Sequence, residues 1–189
     1  MLFGDDRITC LPMKRELFIH FAFWFSFFVF ITLLKHYFSF SYWPFWLGGI
    51  VGTLLPDLDH FIYFYFVKPQ ELTSQRVGYL VGKKEVVRGV ELLYETRNER
   101  KELIFHSLFF QIIFFILTFW MLSSSGSFFG RGLVLAFALH LSIDQATDLT
   151  ELKSFDNWLK NSPVNLSFRN AKIYCLATVL LLCIFGFLL

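Results

Sequence analysis

The chain has 189 residues, of which 56% are hydrophobic, and it contains 27 phenylalanines at a mean hydropathy of +0.55. The length suggests one domain, and the apolar content exceeds what a soluble core of this size needs. The net charge is +2. The basic residues do not form a patch or stripe of the kind that binds nucleic acid, so no nucleic-acid partner is predicted.

Five apolar stretches predict five transmembrane helices in a single integral membrane domain, residues 1–189. The stretches cover about 17–35, 43–67, 103–122, 132–149 and 171–189. Each is close to the roughly 20 residues that a spanning helix requires. An all-α fold follows, because lipid offers no hydrogen-bond partner to open backbone groups. The fourth stretch is the shortest and most polar, so its assignment depends on its neighbours.

The distribution of basic residues predicts the orientation in the membrane. Five crossings place three segments on one side, and these contain all of the 17 basic residues except Lys35 and Arg131. The positive-inside rule then predicts an inner (cytoplasmic) membrane protein with a cytoplasmic N-terminus. The first apolar run has no small-residue cleavage site after it and is interpreted as a retained signal anchor.

The segment between the second and third stretches, residues 68–102, is a polar cytoplasmic insertion. Apolar residues at spacings of three and four predict an amphipathic helix over 84–101, either packed under the bundle or lying on the inner leaflet. Arg97, Arg100 and Lys101 are consistent with a solvated face or with phosphate binding. Residues 150–170 are predicted to form an interfacial connector.

Acids and histidines lie within the most apolar stretches. They are His20 in the first, Asp57, Asp59 and His60 in the second, His106 in the third, and His140, Asp144 and Asp148 in the fourth. A charged side chain in hydrocarbon costs at least about 2.5–3.5 kcal/mol, so such residues are rare and usually functional.

Counting along the helices places these side chains at one depth. At a rise of about 1.5 Å per residue, His20, His60, His106 and Asp144 lie roughly 5–10 Å inside the cytoplasmic boundary. His140, Asp144 and Asp148 recur every four residues and therefore share one helix face.

In the second stretch, Asp59 points away from Asp57 on an ideal helix. Pro56 removes a helical hydrogen bond, and Gly48, Gly49 and Gly52 are expected to loosen the preceding turns. A broken helix there predicts that Asp57 and Asp59 enter one cavity open to the cytoplasmic side.

Carboxylates and imidazoles without thiolates suit Zn, Mn, Fe or Mg, with one or two ions. A proton site is an open alternative. Taken singly, His20 and His106 are also consistent with helix packing, and Asp148 with a helix cap. The cysteines Cys10, Cys175 and Cys183 have no metal or redox spacing.

The order of these motifs resembles a known family. The matching pieces are His20, the run Leu55 to His60, the triplet Phe105 to Ser107, and His140 to Asp144 with Thr147. They are similar to the bacterial and archaeal inner-membrane proteins called membrane-bound metal-dependent hydrolases, the YdjM family. That family has an early Gly-His, then Pro-Asp-hydrophobic-Asp-His, Thr-His-Ser and His-x-x-x-Asp.

This chain departs from the family pattern at two places. Ile19 stands where the family has the early glycine. Residues 101–105 replace a His-Arg-Gly-x-Thr run, so one histidine, the Arg-Gly pair and the threonine are missing.

The motifs and the resemblance together suggest a membrane-embedded metal-dependent hydrolase acting on a lipid or lipid-linked ester or phosphoester. The predicted metal ligands are His20, Asp57, Asp59, His60, His106, His140 and Asp144. Asp59 or Asp144 is the predicted general base, and Ser107, Thr147 and Asp148 are predicted to support the site. The alternatives are a metal-ion or proton transporter using the same cluster and a non-catalytic metal-binding membrane protein.

Overall fold

The computed structural model describes residues 6–96, 102–160 and 166–189, and within these ranges it contains helices and no strand. The helices are α1 (Asp6–Lys35), α2 (Trp43–Leu54), α3 (Leu58–Ile62), α4 (Leu72–Gly82), α5 (Val86–Glu95), α6 (Leu108–Ser124), α7 (Phe128–Thr147), α8 (Asp156–Leu159) and α9 (Phe168–Leu188). One 3₁₀ turn (Phe40–Tyr42) and two π-helical turns (Tyr63–Val67 and Asp148–Leu152) join them. The predicted all-α class is confirmed for this part of the chain.

Within the described residues, three helical stretches are long and apolar enough to cross a membrane. They are Arg15–Lys35, Phe40–Val67 and Phe168–Leu188, close to the first, second and fifth predicted stretches. Helix α6 is apolar but has only 17 residues. Five crossings, which also require α6 and α7 to span, stay a prediction.

Helix α7 lies at the centre of the bundle. Twelve of its 20 residues are buried, and it packs against α1, α2, α6 and α9. At the opposite end from the candidate site, Lys35 Nζ donates to the Phe187 carbonyl at 2.9 Å. The C-terminal ends of α1 and α9 therefore lie together, so these two helices run in the same direction.

Helices α2 and α7 approach each other closely because glycines line their contact. A Cβ built on Gly48 would lie 2.1 Å from the Phe129 carbonyl oxygen, and one on Gly52 would lie 2.2 Å from that of Leu133. Small residues four apart allow such backbone contact in membrane helices. Since α2 is helical from Trp43 to Leu54, the expectation that these glycines loosen it is wrong. Their role is close packing.

The helix is interrupted at Pro56, as the sequence predicts. From residue 58 to residue 60 the backbone N–H groups bond three residues back: Leu58 to Leu55, Asp59 to Pro56, and His60 to Asp57. These tighter turns separate α2 from α3 and change the direction in which the following side chains point.

Two further boundaries differ from the prediction. Residues 103–107 were expected in the third apolar helix, but α6 begins at Leu108 and the preceding segment is not helical. The predicted amphipathic helix is α5, which packs against α1 and α4 and buries Leu93 with Phe64 and Val77. It therefore packs on the bundle, and residues 97–101 lie outside the described residues.

Candidate metal centre

The candidate acids and histidines, from four separate chain segments, meet beside the C-terminal half of α7. His20 comes from α1, Asp57 from the turn at Pro56, and Asp59 and His60 from α3. His106 comes from the segment before α6, and His140 and Asp144 come from α7. All are buried except Asp57 and His60, which are half-buried.

Asp144 is the centre of this cluster. Its Oδ2 lies 2.9 Å from His106 Nε2 and 3.2 Å from His140 Nε2, and its Oδ1 lies 3.4 Å from His20 Nε2. The four-residue spacing places His140 and Asp144 on one face of α7. Asp144 therefore contacts three of the candidate ligand histidines at once.

His20, His140 and Asp144 form a group that could hold a metal ion, since one ligand atom from each lies within 4.8 Å of the others. The His20 and His140 rings are 4.1 Å apart between centroids. His20 Nδ1 faces the Glu16 carbonyl at 2.9 Å and must donate to it. This hydrogen bond leaves the lone pair on Nε2, the nitrogen that points at Asp144.

The donor atoms of this group fit a cation. His20 Nε2 and His140 Nε2 lie near the Asp144 oxygens but are not aligned to form hydrogen bonds with them, and His140 Nδ1 has no hydrogen-bond partner among the described residues; all three atoms are buried. Buried polar atoms are rarely left in this way, and each one calls for an explanation. Two imidazoles and a carboxylate are a set that Zn²⁺ and Fe²⁺ accept in catalytic sites, with further coordination positions open.

His106 connects two carboxylates instead of pointing into open space. Its Nδ1 lies 3.2 Å from Asp59 Oδ2, and its Nε2 lies 2.9 Å from Asp144 Oδ2. Because both oxygens accept, both ring nitrogens donate. His106 therefore orients Asp144 through Oδ2, whereas His20 faces Oδ1.

Asp59 is the anchor of this arrangement and is only 1% exposed. It accepts backbone hydrogen bonds from Ile104 at 3.0 Å, Phe105 at 2.6 Å and His106 at 3.3 Å. The non-helical backbone before α6 makes these three N–H groups available. Asp59 thus fixes that segment and the His106 ring together.

Glu102 holds the start of the same segment. Its carboxylate accepts from Lys160 at 2.6 Å and contacts Lys68 at 3.2 Å. Hydrogen bonds from Lys160 and Lys68 hold the pKa of Glu102 below its ordinary value. Glu102 therefore connects this segment to Lys68, which precedes α6 in the chain, and to Lys160, which follows α7.

Asp57 and His60 lie on the wall of a cavity of about 270 Å³, together with His20 and Asp144. Asp57 Oδ1 is 3.6 Å from His140 Nε2, and its side chain is 30% exposed. The His60 ring stacks on His106 with centroids 5.4 Å apart. Asp59 does not line this cavity, so the two aspartates reach the cluster from different sides and do not share one cavity as predicted.

The residues predicted to support the site have separate roles. Ser107 caps α6: its hydroxyl oxygen accepts from the Phe110 N–H and it donates to the Ile104 carbonyl. Thr147 is half-buried and lines a different cavity. Asp148 is buried and accepts a hydrogen bond from Trp158 Nε1 at 2.8 Å.

Trp158 is a contact residue that the sequence did not indicate. It was expected in an interfacial connector, but it is 1% exposed and its ring lies 5.6 Å from that of His106. Its indole N–H also satisfies Asp148. Since aromatic residues are abundant along the whole chain, no pattern distinguished this one.

A second buried polar cluster was not predicted from the sequence. Gln145 Nε2 donates to Gln111 Oε1 at 2.5 Å, and the Tyr174 hydroxyl donates to the same oxygen at 2.7 Å. Both glutamines are fully buried. The sequence does contain a signal for it, because the amide side chains of Gln111 and Gln145 lie in apolar stretches, where such side chains are rare. The cluster joins α6, α7 and α9 next to Asp144.

Comparison with known families decides the membership of the chain. The model of the YdjM inner membrane protein family matches residues 16–155. The chain belongs to the YdjM inner membrane protein family. Searches of curated proteins and of solved structures gave no significant match. The YdjM match contains all seven candidate ligands, and with the apolar helices it identifies a membrane protein. The family name states a location and no reaction.

Proposed function

We propose that this YdjM family member is a metal-dependent hydrolase that cleaves an ester or phosphoester of an amphiphilic lipid. The observation that carries the proposal is the buried group of His20, His140 and Asp144, whose ligand atoms lie within 4.8 Å of one another. In the proposed orientation the N-terminus is cytoplasmic, and the cluster opens toward the cytoplasmic leaflet.

The three side chains supply two neutral imidazole nitrogens and one carboxylate to the ion. A divalent cation held there would activate water and polarise a phosphoryl or acyl oxygen. Zn, Mn, Fe and Mg all remain chemically suitable, and the compact group holds one ion. A second ion would have to use Asp57 and His60 on the cavity wall.

The proton acceptor in this proposal is Asp57. Asp59 was the sequence-based choice, but its carboxylate accepts three backbone hydrogen bonds and lies outside the cavity. Asp144 faces three imidazoles. Asp57 is the half-exposed carboxylate beside His140. It takes the proton from the attacking water and returns it to the alkoxide that leaves when the ester bond breaks.

The remaining walls of the cavity indicate an amphiphilic substrate. Leu17, Leu54, Leu58, Phe61, Val90 and Leu93 line it together with the acids and histidines. A cavity lined by both apolar and ionisable side chains fits a lipid whose ester lies beside the acids and histidines. Helix α5, which contributes Val90 and Leu93, closes the cavity from the side of the polar insertion.

The alternative of transport is less well supported. The bundle between the cluster and the Lys35 end is filled by buried apolar side chains, among them Phe28, Ile31 and Phe45. A conducting protein needs a polar route on that side. The geometry therefore favours chemistry at the cluster over passage through it.

The test uses purified protein loaded in turn with Zn, Mn, Fe or Mg and assayed on a fluorogenic phosphodiester and a fluorogenic carboxylic ester, each with an acyl chain. Asp57→Asn is expected to lower kcat about 10²–10⁴-fold while the bound metal is retained. Asp156→Asn, the same substitution at an exposed residue of α8, is the control.

Two results would contradict the proposal. Equal turnover in wild type and Asp57→Asn would remove Asp57 from the chemistry. No turnover of either ester by metal-loaded wild type would contradict the proposed hydrolysis, and metal retained in that protein would favour the alternative of a non-catalytic metal-binding protein.

A further inference from the structure

A long groove runs along the outer surface of α7 and α9, away from the candidate metal centre. It consists of two cavities of about 540 Å³ and 480 Å³, which share Ala146, Thr150 and Val179 in their linings. The second cavity continues between α1, α7 and α9. None of the seven candidate ligands lines either cavity.

The end of the groove near the start of α9 is positively charged. Lys153 and Lys172 line it, and both are exposed. Lys172 Nζ lies 4.5 Å from the centre of the Phe168 ring. Neither lysine forms an ion pair with a residue that the structure describes, whereas Lys160 contacts Glu102 and Arg15 contacts Glu151.

The rest of the groove is apolar and has the length of one lipid leaflet. Its lining on α9 begins at Phe168, and from Lys172, at the charged end, it continues for eleven residues to Cys183. Eleven residues of helix rise about 16 Å, which is roughly half of a hydrocarbon core of about 30 Å. Side chains such as Leu176 and Val179 and, farther along, Phe27 and Leu182 form the walls.

We infer that this groove binds one anionic phospholipid, with the headgroup at Lys153 and Lys172 and an acyl chain along α7 and α9. Two uncompensated amines attract a lipid with net negative charge over a zwitterionic lipid of the same chains, and basic pockets beside membrane helices bind acidic headgroups. This inference does not depend on the proposed hydrolase activity.

The experiment is native mass spectrometry of the detergent-purified full chain titrated with palmitoyl-oleoyl phosphatidylglycerol or palmitoyl-oleoyl phosphatidylcholine. The test variant is Lys153→Gly with Lys172→Gln. Lys153 has a φ of 51°, a left-handed conformation that glycine adopts without strain. Loss of binding in this variant therefore does not arise from a damaged backbone.

The chain offers a closely matched control, Lys84→Gly with Lys83→Gln. Lys84 has a φ of 64°, and Lys83 Nζ lies 4.5 Å from the centre of the Tyr79 ring. Like the test variant, the control removes two positive charges, one from a left-handed backbone position and one beside an aromatic ring. Its two lysines lie at the α4–α5 turn. Neither Lys83 nor Lys84 lines the groove.

Wild type and control are expected to bind the first phosphatidylglycerol about 25-fold more tightly than phosphatidylcholine, from roughly fivefold per lysine. The test variant should bind both lipids equally. The inference is overturned if wild type shows no headgroup preference, if the test variant keeps it, or if the control loses it to the same extent.

Discussion

Replacing Gly52 by alanine tests whether the glycine contact between α2 and α7 holds the site together. The added Cβ would lie 2.2 Å from the Leu133 carbonyl oxygen, about 1.2 Å short of the 3.4 Å at which ordinary contact begins. The obstructing atom belongs to the backbone, so no side chain can rotate away. Overpacking of this kind costs up to about 3 kcal/mol, which corresponds to a fall in Tm of roughly 6–12 °C at this chain length.

Moving α2 away from α7 should also displace residues of the candidate metal centre. Helix α2 leads into Asp57 and α7 carries His140, and the two side chains are 3.6 Å apart. Thermal unfolding in detergent, followed by the fluorescence of a thiol-reactive or apolar dye, measures the fall in Tm. Gly78→Ala is the control, because a Cβ there meets nothing within 4 Å and alanine favours the helix by up to about 1 kcal/mol. A Gly52→Ala protein that melts within about 2 °C of wild type would refute the close-packing argument.

Three further substitutions examine the surroundings of the cluster. Asp59→Asn should weaken metal binding about 10–100-fold, measured by competition with a chelator, because the His106 ring loses its anchor; unchanged affinity would contradict a positioning role. Trp158→Phe removes the hydrogen bond to buried Asp148 and should cost about 1–3 kcal/mol, read as a fall in Tm, whereas an equal Tm would count against this contact. Glu102→Gln should lower Tm slightly at pH 7. Because the folded state lowers the pKa of Glu102 from 4.5, its ion pairs stabilise the protein above that pH, and this stabilisation is lost as the pH falls through the lowered value. The difference in Tm should therefore shrink as the pH falls below 4.5, and a difference independent of pH would contradict the assignment.

The depth of the site residues could be predicted from the sequence because the rise of a helix is regular. Counting from the ends of the apolar stretches placed His20 and Asp144 at one level, and the structure brings them together. The spacing of four between His140 and Asp144 likewise predicted one helix face. The interruption at Pro56 followed from the missing N–H of proline.

The partners of each side chain could not be predicted, because they depend on how the helices rotate and how irregular segments fold. Asp59 bonds to a non-helical segment that the apolar pattern had assigned to the third helix. The glycines of α2 gave no indication of which helix they would contact. Trp158 donates to Asp148 across the π-helical turn that follows α7, and no residue spacing predicts that turn.

The metal content of the purified protein tests the central claim most directly. Elemental analysis of wild type, His20→Ala, His140→Ala and His36→Asn is to be made on protein purified identically in detergent. His36 is an exposed histidine at the end of α1 with a φ of 55°, a conformation that asparagine tolerates. Wild type and His36→Asn are expected to carry about one divalent ion per chain, and the other two variants should carry little or none. Equal metal content in all four proteins, or none in wild type after incubation with Zn, Mn, Fe or Mg, would contradict the assignment of the metal to His20, His140 and Asp144.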